Sequence, residues 1–241
     1  MSTVKIGCCG FPIGRKNYYR HFPCVEVQQT FYHPPGLETL ARWRQEAPEG
    51  FEFTIKAWQL ITHSPKSPTY RRLRMEIPDG KSDRYGNFRP TEDVFLAWQT
   101  TRRAAEALGA RIVIFQTPRS FRCSAENKAD MEGFFQKIDR DEFILGWEPR
   151  GWEEGEIEEL CRKLDLLHIV NPFQGKTLWG EVTYWRLHGI GGYRYRHSDE
   201  DLDQLRQWLP KERIAYVMFN NTSMFQDGLR FKEIFHENSS V

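Results

Sequence analysis

The chain has almost no charge imbalance: among its 241 residues, 34 Lys and Arg stand against 33 Asp and Glu. A nucleic acid or a membrane surface therefore gains no global attraction, and any preference for an anion has to be local. Long apolar runs are missing too. No stretch approaches the roughly 18 consecutive apolar residues of a membrane span, and the opening MSTVKIGCCGF reads as a strand without the apolar core and cleavage site of a secretory leader. The five cysteines (Cys8, Cys9, Cys24, Cys123, Cys161) are odd in number and contain no C-x-x-C, which disfavours a disulfide framework and a zinc knuckle and suits a reducing cytoplasm. Neighbouring Cys8 and Cys9 face opposite sides of a strand and read as small buried hydrophobes. There is no G-x-G-x-x-G, P-loop, H-E-x-x-H or G-x-S-x-G, no repeat and no low-complexity tract, so the easy assignments to nucleotide, metalloprotease or serine-hydrolase chemistry fall away.

What is present is strand after strand. VKIGCC (4–9), VEVQQTF (25–31), FEFTIKA (51–57), RIVIFQT (111–117), EFILGWE (142–148), LLHIV (166–170), VTYWRLH (182–188) and IAYVMFN (214–220) are short runs rich in β-branched and aromatic residues. Between most of them lie stretches with apolar residues three and four apart, such as LETLARWRQEA, TEDVFLAWQTTRRAAEALGA, SAENKADMEGFFQKI, EEGEIEELCRKL and DEDLDQLRQWL. Thr91, Ser124 and Ser198 stand where helix N-caps belong. Strands alternating with helices over this length predict an α/β fold, a single TIM-type (β/α)8 barrel spanning 1–241, with an open doubly wound sheet as the alternative. Residues 58–90 form a long insertion after the third strand, and residues 171–181 are too short for a full helix.

In a barrel the outward side chains meet the helices and must be apolar, which orients each strand. Val25 and Val27 outward send Glu26, Gln28 and Thr30 inward; Phe53 and Ile55 outward send Thr54 and Lys56 inward. By the same rule Gln116, Glu148, Arg186, His188 and Asn220 point inward near the C-terminal ends of their strands, and Arg150 begins the loop above. Barrel enzymes build their sites at that rim. Uncompensated buried charge costs several kcal/mol, so these groups must pair with one another, with water or with a ligand. Paired among themselves, Glu26 with Lys56 and Glu148 with Arg186, they would be a non-catalytic internal network. As a site they suit an anion, because Lys56, Arg150 and Arg186 outnumber the acids and the two arginines offer planar donor forks. The same cations repel a metal ion, so no cofactor is predicted. His188 is the natural proton carrier, with Glu148 or Glu26 as second acid or base.

Two further segments lie at that rim. From His63 to Pro90, Lys66, Arg71, Arg72, Arg74, Lys81, Arg84 and Arg89 are interleaved with Tyr70, Tyr85 and Phe88, and GGYRYRHS (191–198) follows the seventh strand. Basic residues mixed with rings suit a phosphate backbone and unpaired bases, while a solvated loop is the plainer reading. His63 opens this insertion, where it could reach over the mouth; His168 falls mid-strand, where burial is the simpler role.

The runs VEVQQTFYHPP, WRQEAPEGFEFTIKAWQLITH, WEPRGW, YWRLHG with YRYRHSDEDL, and YVMFNN, in that order and spacing, resemble the YecE-like family, also called domain of unknown function 72. The likeness covers nearly the whole chain and implies a TIM barrel and no established activity. By position it singles out Glu26, Thr30, Phe31, Tyr32, Lys56, His63, Glu148, Arg150, Arg186, His188, Gly189, Asn220 and Asn221. Gln28 stands where the family usually shows Asn, and Trp152 follows Glu148 more closely than usual.

Three functions follow as expectations. The first is an enzyme doing acid–base chemistry, hydrolysis or elimination, on a small anionic or phosphorylated ligand, with His188, Glu148 and Glu26 catalytic and Lys56, Arg150, Arg186, Asn220, Gln116, Tyr32 and His63 binding. The second is a nucleic-acid binder or a phosphodiesterase using a divalent metal, in the manner of barrel endonucleases. The third is a structural protein. Composition carries no information on oligomeric state.

Overall fold

A computed structural model describes residues 3–237. Eight strands, β1 (Val4–Cys9), β2 (Cys24–Val27), β3 (Glu52–Lys56), β4 (Ile112–Gln116), β5 (Ile144–Glu148), β6 (Leu167–Val170), β7 (Thr183–Leu187) and β8 (Ala215–Phe219), pair in parallel with their sequence neighbours. β1 closes the ring against β8 in a register running from Val4 opposite Ala215 to Cys8 opposite Phe219. Helices α1 (Arg15–Tyr18), α2 (Gln29–Tyr32), α3 (Leu37–Glu46), α4 (Gln59–Thr62), α5 (Glu92–Leu108), α6 (Ala125–Lys137), α7 (Glu154–Leu164) and α8 (Asp199–Gln207) lie in the connections between strands, α9 (Met224–Glu237) follows β8, and β6 joins β7 without a helix. The barrel, rather than the open sheet, is the fold. Among the described residues no helix is long and apolar enough to cross a membrane.

Period-two alternation divides the apolar residues into two layers. Val25, Val27, Phe53, Ile55, Val113, Phe115, Leu145, Trp147, Trp185, Leu187, Val217 and Phe219 pack outward under the helices. Ile112, Ile114, Leu167, Ile169, Tyr184, Tyr216 and Met218 fill the interior. Cys8 belongs to the outer layer and Cys9 to the inner one, as adjacent residues on a strand must. The interior is packed closely against Gly146 in β5: a Cβ there would stand 2.5 Å from Ile169 Cδ1, so the Ile169 side chain would have to shift to admit it. The three N-caps are used as well. Thr91 accepts from the Val94 amide, Ser124 from that of Asn127, and Ser198 forms a capping box with Asp201.

The second strand differs from its sequence reading. It stops at Val27, and Gln28 turns into α2, so Thr30 is a helical residue and not an inward strand position. Its hydroxyl lies 3.0 Å from the Val27 carbonyl and 2.7 Å from that of Lys56, tying the ends of β2 and β3 together. A run of Gln-Gln-Thr carries no alternation that could distinguish one more pleat from one helical turn.

The insertion after β3 is ordered by its own packing. Tyr85 and Phe88 are buried, Tyr70 donates to the His63 carbonyl at 2.8 Å, and Arg84 pairs with Asp93 at 2.5 Å. Its rings therefore hold the loop down, and Tyr85 and Phe88 are not displayed for stacking on bases.

Candidate active site

At the C-terminal rim the inward polar residues converge on two carboxylates. Glu26 (β2) is fully buried and receives two parallel hydrogen bonds from Arg186 (β7), Nε to Oε2 at 3.0 Å and Nη2 to Oε1 at 2.8 Å. Tyr184 donates to the same carboxylate at 3.0 Å and Gln28 closes over it. The third guanidinium nitrogen of Arg186 reaches across the barrel to Glu148 Oε2. One arginine thus links two acids, and the pairing of Glu26 with Lys56 that the sequence suggested does not form.

Glu148, the last residue of β5, is the hub of the mouth. Its Oε1 accepts from Gln116 Nε2 at 2.9 Å and lies 2.8 Å from His188 Nε2, while the Arg150 guanidinium stands 3.7 Å away. Burial alone would push its carboxyl up, but Arg186, then His188 and Arg150, hold it well below the usual carboxylate range. Burial likewise works against the Arg186 charge, which Glu148 and Glu26 more than restore. The central pair is therefore ionised on both sides.

His188 follows β7, and Asn220 follows β8. Asn220 Nδ2 lies 3.0 Å from His188 Nδ1, so with Glu148 accepting at Nε2 the neutral ring carries its proton on Nε2 and offers the Nδ1 lone pair to Asn220. Lys56 ends β3 with its ammonium 2.6 Å from Gln116 Oε1 and 3.6 Å above the Phe31 ring. Among the described residues no carboxylate lies within ion-pair distance of it. Burial, then Arg186, draws it down to about 7, with Arg150 adding to the effect and Glu148 and Glu26 opposing it.

These groups open into a cavity of about 390 Å³ lined by Tyr32, Lys56, Gln116, Arg150, Arg186, His188 and Asn220, together with Cys9, Gln28, Gln29, Arg72 and Tyr193. A second lobe of about 750 Å³ adjoins it across Arg150, His188 and Tyr193 and is walled by Trp152, His168, Asn171, Gln174, Lys176 and Arg119. Arg150 is half exposed between the two. Its loop begins at Pro149 and turns at Gly151, whose φ of +75° favours glycine. Trp152 stacks on Phe121 at 5.6 Å and donates to its carbonyl, fixing the base of that loop.

Nine of the ten residues singled out from the sequence meet here. Eight line the first lobe or, as Glu148 does, the second, and Glu26 lies beneath them. His63 does not. Its ring sits one layer back, edge-on to Phe31 at 4.9 Å with Nδ1 2.8 Å from the Thr62 hydroxyl, and burial with Lys56 and Arg150 nearby pulls it down to about 3. Gly86 presses on its carbonyl, where a Cβ would come within 2.2 Å, so His63 anchors the insertion. His168, read as a buried strand residue, is 4% exposed, and its Nδ1 accepts from the Leu178 amide at 3.2 Å. Arg72 and Tyr193 could not be placed from the sequence because both lie outside the strands: Arg72 ends a short 3-10 turn (Pro68–Arg72) of the insertion and stacks on Tyr32 at 3.8 Å, and Tyr193 reaches the mouth from the glycines after β7. Cys9 also touches the site, 3.5 Å from Glu26, but burial and that carboxylate hold its thiol far above the range of a nucleophile.

No group of three or more His, Cys, Asp and Glu able to hold a metal is found among the described residues. The carboxylates here are already occupied by Arg186, so the donor set does not fit a divalent ion.

Comparison with known proteins places the chain in a wider group. The UPF0759 protein YunF of Bacillus subtilis is 25% identical over 241 aligned residues, covering 86% of this chain and 79% of its own. The UPF0759 protein YecE of Escherichia coli is 40% identical over 48 residues, 20% of this chain and 18% of that one. Crystal structures of DUF72 family proteins from Enterococcus faecalis (TM-score 0.73, 16% identity, 98% of each chain) and Thermotoga maritima (TM-score 0.69, 19% identity, 97% of this chain and 99% of that one) share the fold. Endonuclease IV from Thermus thermophilus has the same barrel at a TM-score of 0.53 and 10% identity, over 98% of this chain and 97% of its own. A model of the protein family of unknown function DUF72 matches residues 15–239, and the chain belongs to that family.

Proposed function

We propose that the protein is an enzyme performing acid–base chemistry, hydrolysis or elimination, on a small anionic substrate bearing a phosphate or carboxylate. The observation that carries this reading is the His188–Glu148 pair at 2.8 Å, opening into a cavity whose other walls include the basic side chains of Lys56, Arg72, Arg150 and Arg186. Glu26 neutralises one face of Arg186 and fixes the guanidinium in place. Arg150 and Arg72, exposed at the rim, are the cations placed to meet an incoming anion. Glu148 holds the Nε2 proton of His188 and would stabilise the imidazolium formed when Nδ1 takes a proton. Asn220 occupies Nδ1 in the resting site, so a substrate oxygen or water takes its place during the reaction. Arg186 keeps Glu148 ionised for that task. A purely structural network would need no open cavity, and the cations at this one exceed what its acids can pair.

Calorimetric titration with inorganic phosphate at low ionic strength tests the reading. One site is expected, with R150A and R72A each weakening it roughly tenfold, the scale of one charge-assisted hydrogen bond. H188A should keep phosphate binding while losing turnover in a screen of phosphate monoesters and hydroxy acids. Absence of phosphate binding would remove the anion site.

A further inference from the structure

We propose that Lys56 is a carbonyl-reactive amine that forms an imine with a small aldehyde or ketone carrying a phosphate or carboxylate. The inference goes beyond the acid–base reading and rests on it only for the anionic group of the substrate.

The case begins with what Lys56 lacks. Buried lysines are ordinarily matched by a carboxylate, and two carboxylates stand in this barrel, yet both are claimed by Arg186. Lys56 donates instead to the neutral Gln116 Oε1 at 2.6 Å and rests on the Phe31 ring. It is 6% exposed and faces the cavity together with Arg150 and Arg186. Desolvation beside other cations is the arrangement that leaves a lysine uncharged and nucleophilic near neutrality, and its drop to about 7 follows from the same surroundings. Glu148 and Glu26 oppose that drop, but neither comes within ion-pair distance. An amine needed only to bind an anion would serve better charged and exposed, as Arg150 is.

The rest of the site supplies what an imine requires. The uncharged Lys56 nitrogen attacks the carbonyl carbon, the carbonyl π pair moves to oxygen, and one N–H proton passes from the nitrogen to that oxygen to give a carbinolamine. A second proton on that oxygen lets the C–O bond break, water leaves as the nitrogen pair closes the C=N bond, and the iminium so formed gives up its remaining N–H proton, which replaces the one consumed. The net change is amine plus carbonyl to imine plus water, with no oxidant or reductant. His188 lines the same cavity as a proton carrier, and Gln116 bridges Lys56 to Glu148, which holds His188. Arg150 and Arg72 at the rim receive the substrate's anionic group, and the Phe31 face supports the cationic iminium.

Trapping tests this on the full chain. The protein is incubated at pH 7 with dihydroxyacetone phosphate or with neutral dihydroxyacetone, each with sodium cyanoborohydride, which delivers hydride to the imine carbon and fixes a secondary amine. Adducts are mapped by peptide mass spectrometry. An ordinary surface lysine holds less than about a thousandth of its amine uncharged at that pH, so Lys56 should be labelled at least tenfold faster than Lys16 or Lys66, and faster by the phosphate than by the neutral ketone. No adduct on Lys56, or labelling spread evenly over surface lysines, overturns the proposal, and because it is read on the unaltered protein it does not depend on a variant folding. Equal labelling by both ketones overturns the anionic substrate class. Phosphate calorimetry on the same sample separates the two readings: phosphate binding with unlabelled Lys56 rejects the imine alone, and Lys56 labelling without phosphate binding rejects the anion site.

Discussion

Arg186 and Glu26 face each other through two parallel hydrogen bonds of 3.0 and 2.8 Å, at 1% and 0% exposure, and the same guanidinium also holds Glu148. A pair this deep is costly to assemble and more costly to break, because removing one member leaves the other charged without solvent. R186M is expected to lower unfolding free energy by about 3–5 kcal/mol or more, since it strands two carboxylates. R162A, which removes the exposed ion pair with Glu158 on α7, should change it by less than about 1 kcal/mol. Urea denaturation of both variants beside the wild type measures the contrast.

The inner face of the barrel was legible because strand alternation is strict: Val25 and Val27 outward leave Glu26 inward, Trp185 and Leu187 outward leave Arg186 inward, and the two layers observed follow that rule. Of the two pairings read from the sequence, Glu148 with Arg186 forms, while Glu26 pairs with Arg186 rather than with Lys56. Lys56 and Arg186 are both inward cations, and only the chain's three-dimensional closure lets the longer, forked side chain bridge Glu26 and Glu148. Loops were the weakest part, since His63, Arg72 and Tyr193 have no periodicity to orient them. His63 turned inward under Gly86 while Arg72 reached the mouth. The turn at Gln28 was hidden for the same reason.

Lys56 gives the protein a pH signature. Its folded value near 7 lies below the ordinary 10.5, so between those values the unfolded chain binds the proton more readily than the native one. Stability from this group is therefore full above about 10.5, falls as pH drops towards 7, and levels off below. The slope approaches about 1.4 kcal/mol per pH unit where the two states differ by one proton. Denaturation midpoints between pH 7 and 10 should rise for the wild type, relative to K56M, by that trend. Parallel curves for the two proteins would show that Lys56 keeps its proton throughout.

Gly146 and Ile169 should be coupled. A methyl at Gly146 collides with Ile169 Cδ1 at 2.5 Å and forces that side chain to move within the packed interior, so G146A is expected to cost about 1–3 kcal/mol. I169V alone removes a methylene for about 0.5–1.5 kcal/mol, but combined with G146A it makes room. The double variant should be more stable than the sum of the two changes by 1 kcal/mol or more, on the order seen for residues in contact. Thermal or urea unfolding of all four proteins completes the cycle, and strict additivity would place the added methyl elsewhere.

The neutral His188 ring should exist as the Nε2–H tautomer, because Glu148 Oε1 accepts at 2.8 Å while Asn220 Nδ2 donates to Nδ1 at 3.0 Å. Long-range proton–nitrogen correlation spectra at alkaline pH distinguish the two nitrogens directly. N220A removes a donor from Nδ1 but leaves Glu148 in place, so the tautomer is expected to persist and phosphate binding to change by less than about tenfold, one charge-assisted bond being worth that much or more. N220D reverses the local charge. A carboxylate facing Nδ1 calls for a proton there, which sets the two acids in competition for the ring, and its negative charge at the rim opposes an incoming anion. N220D should therefore shift the nitrogen spectrum towards a ring protonated at Nδ1 and weaken phosphate binding well beyond N220A. An unchanged spectrum in N220D would mean that Asn220 does not face Nδ1 in solution, and the route by which His188 reaches a substrate would then have to run elsewhere in the cavity.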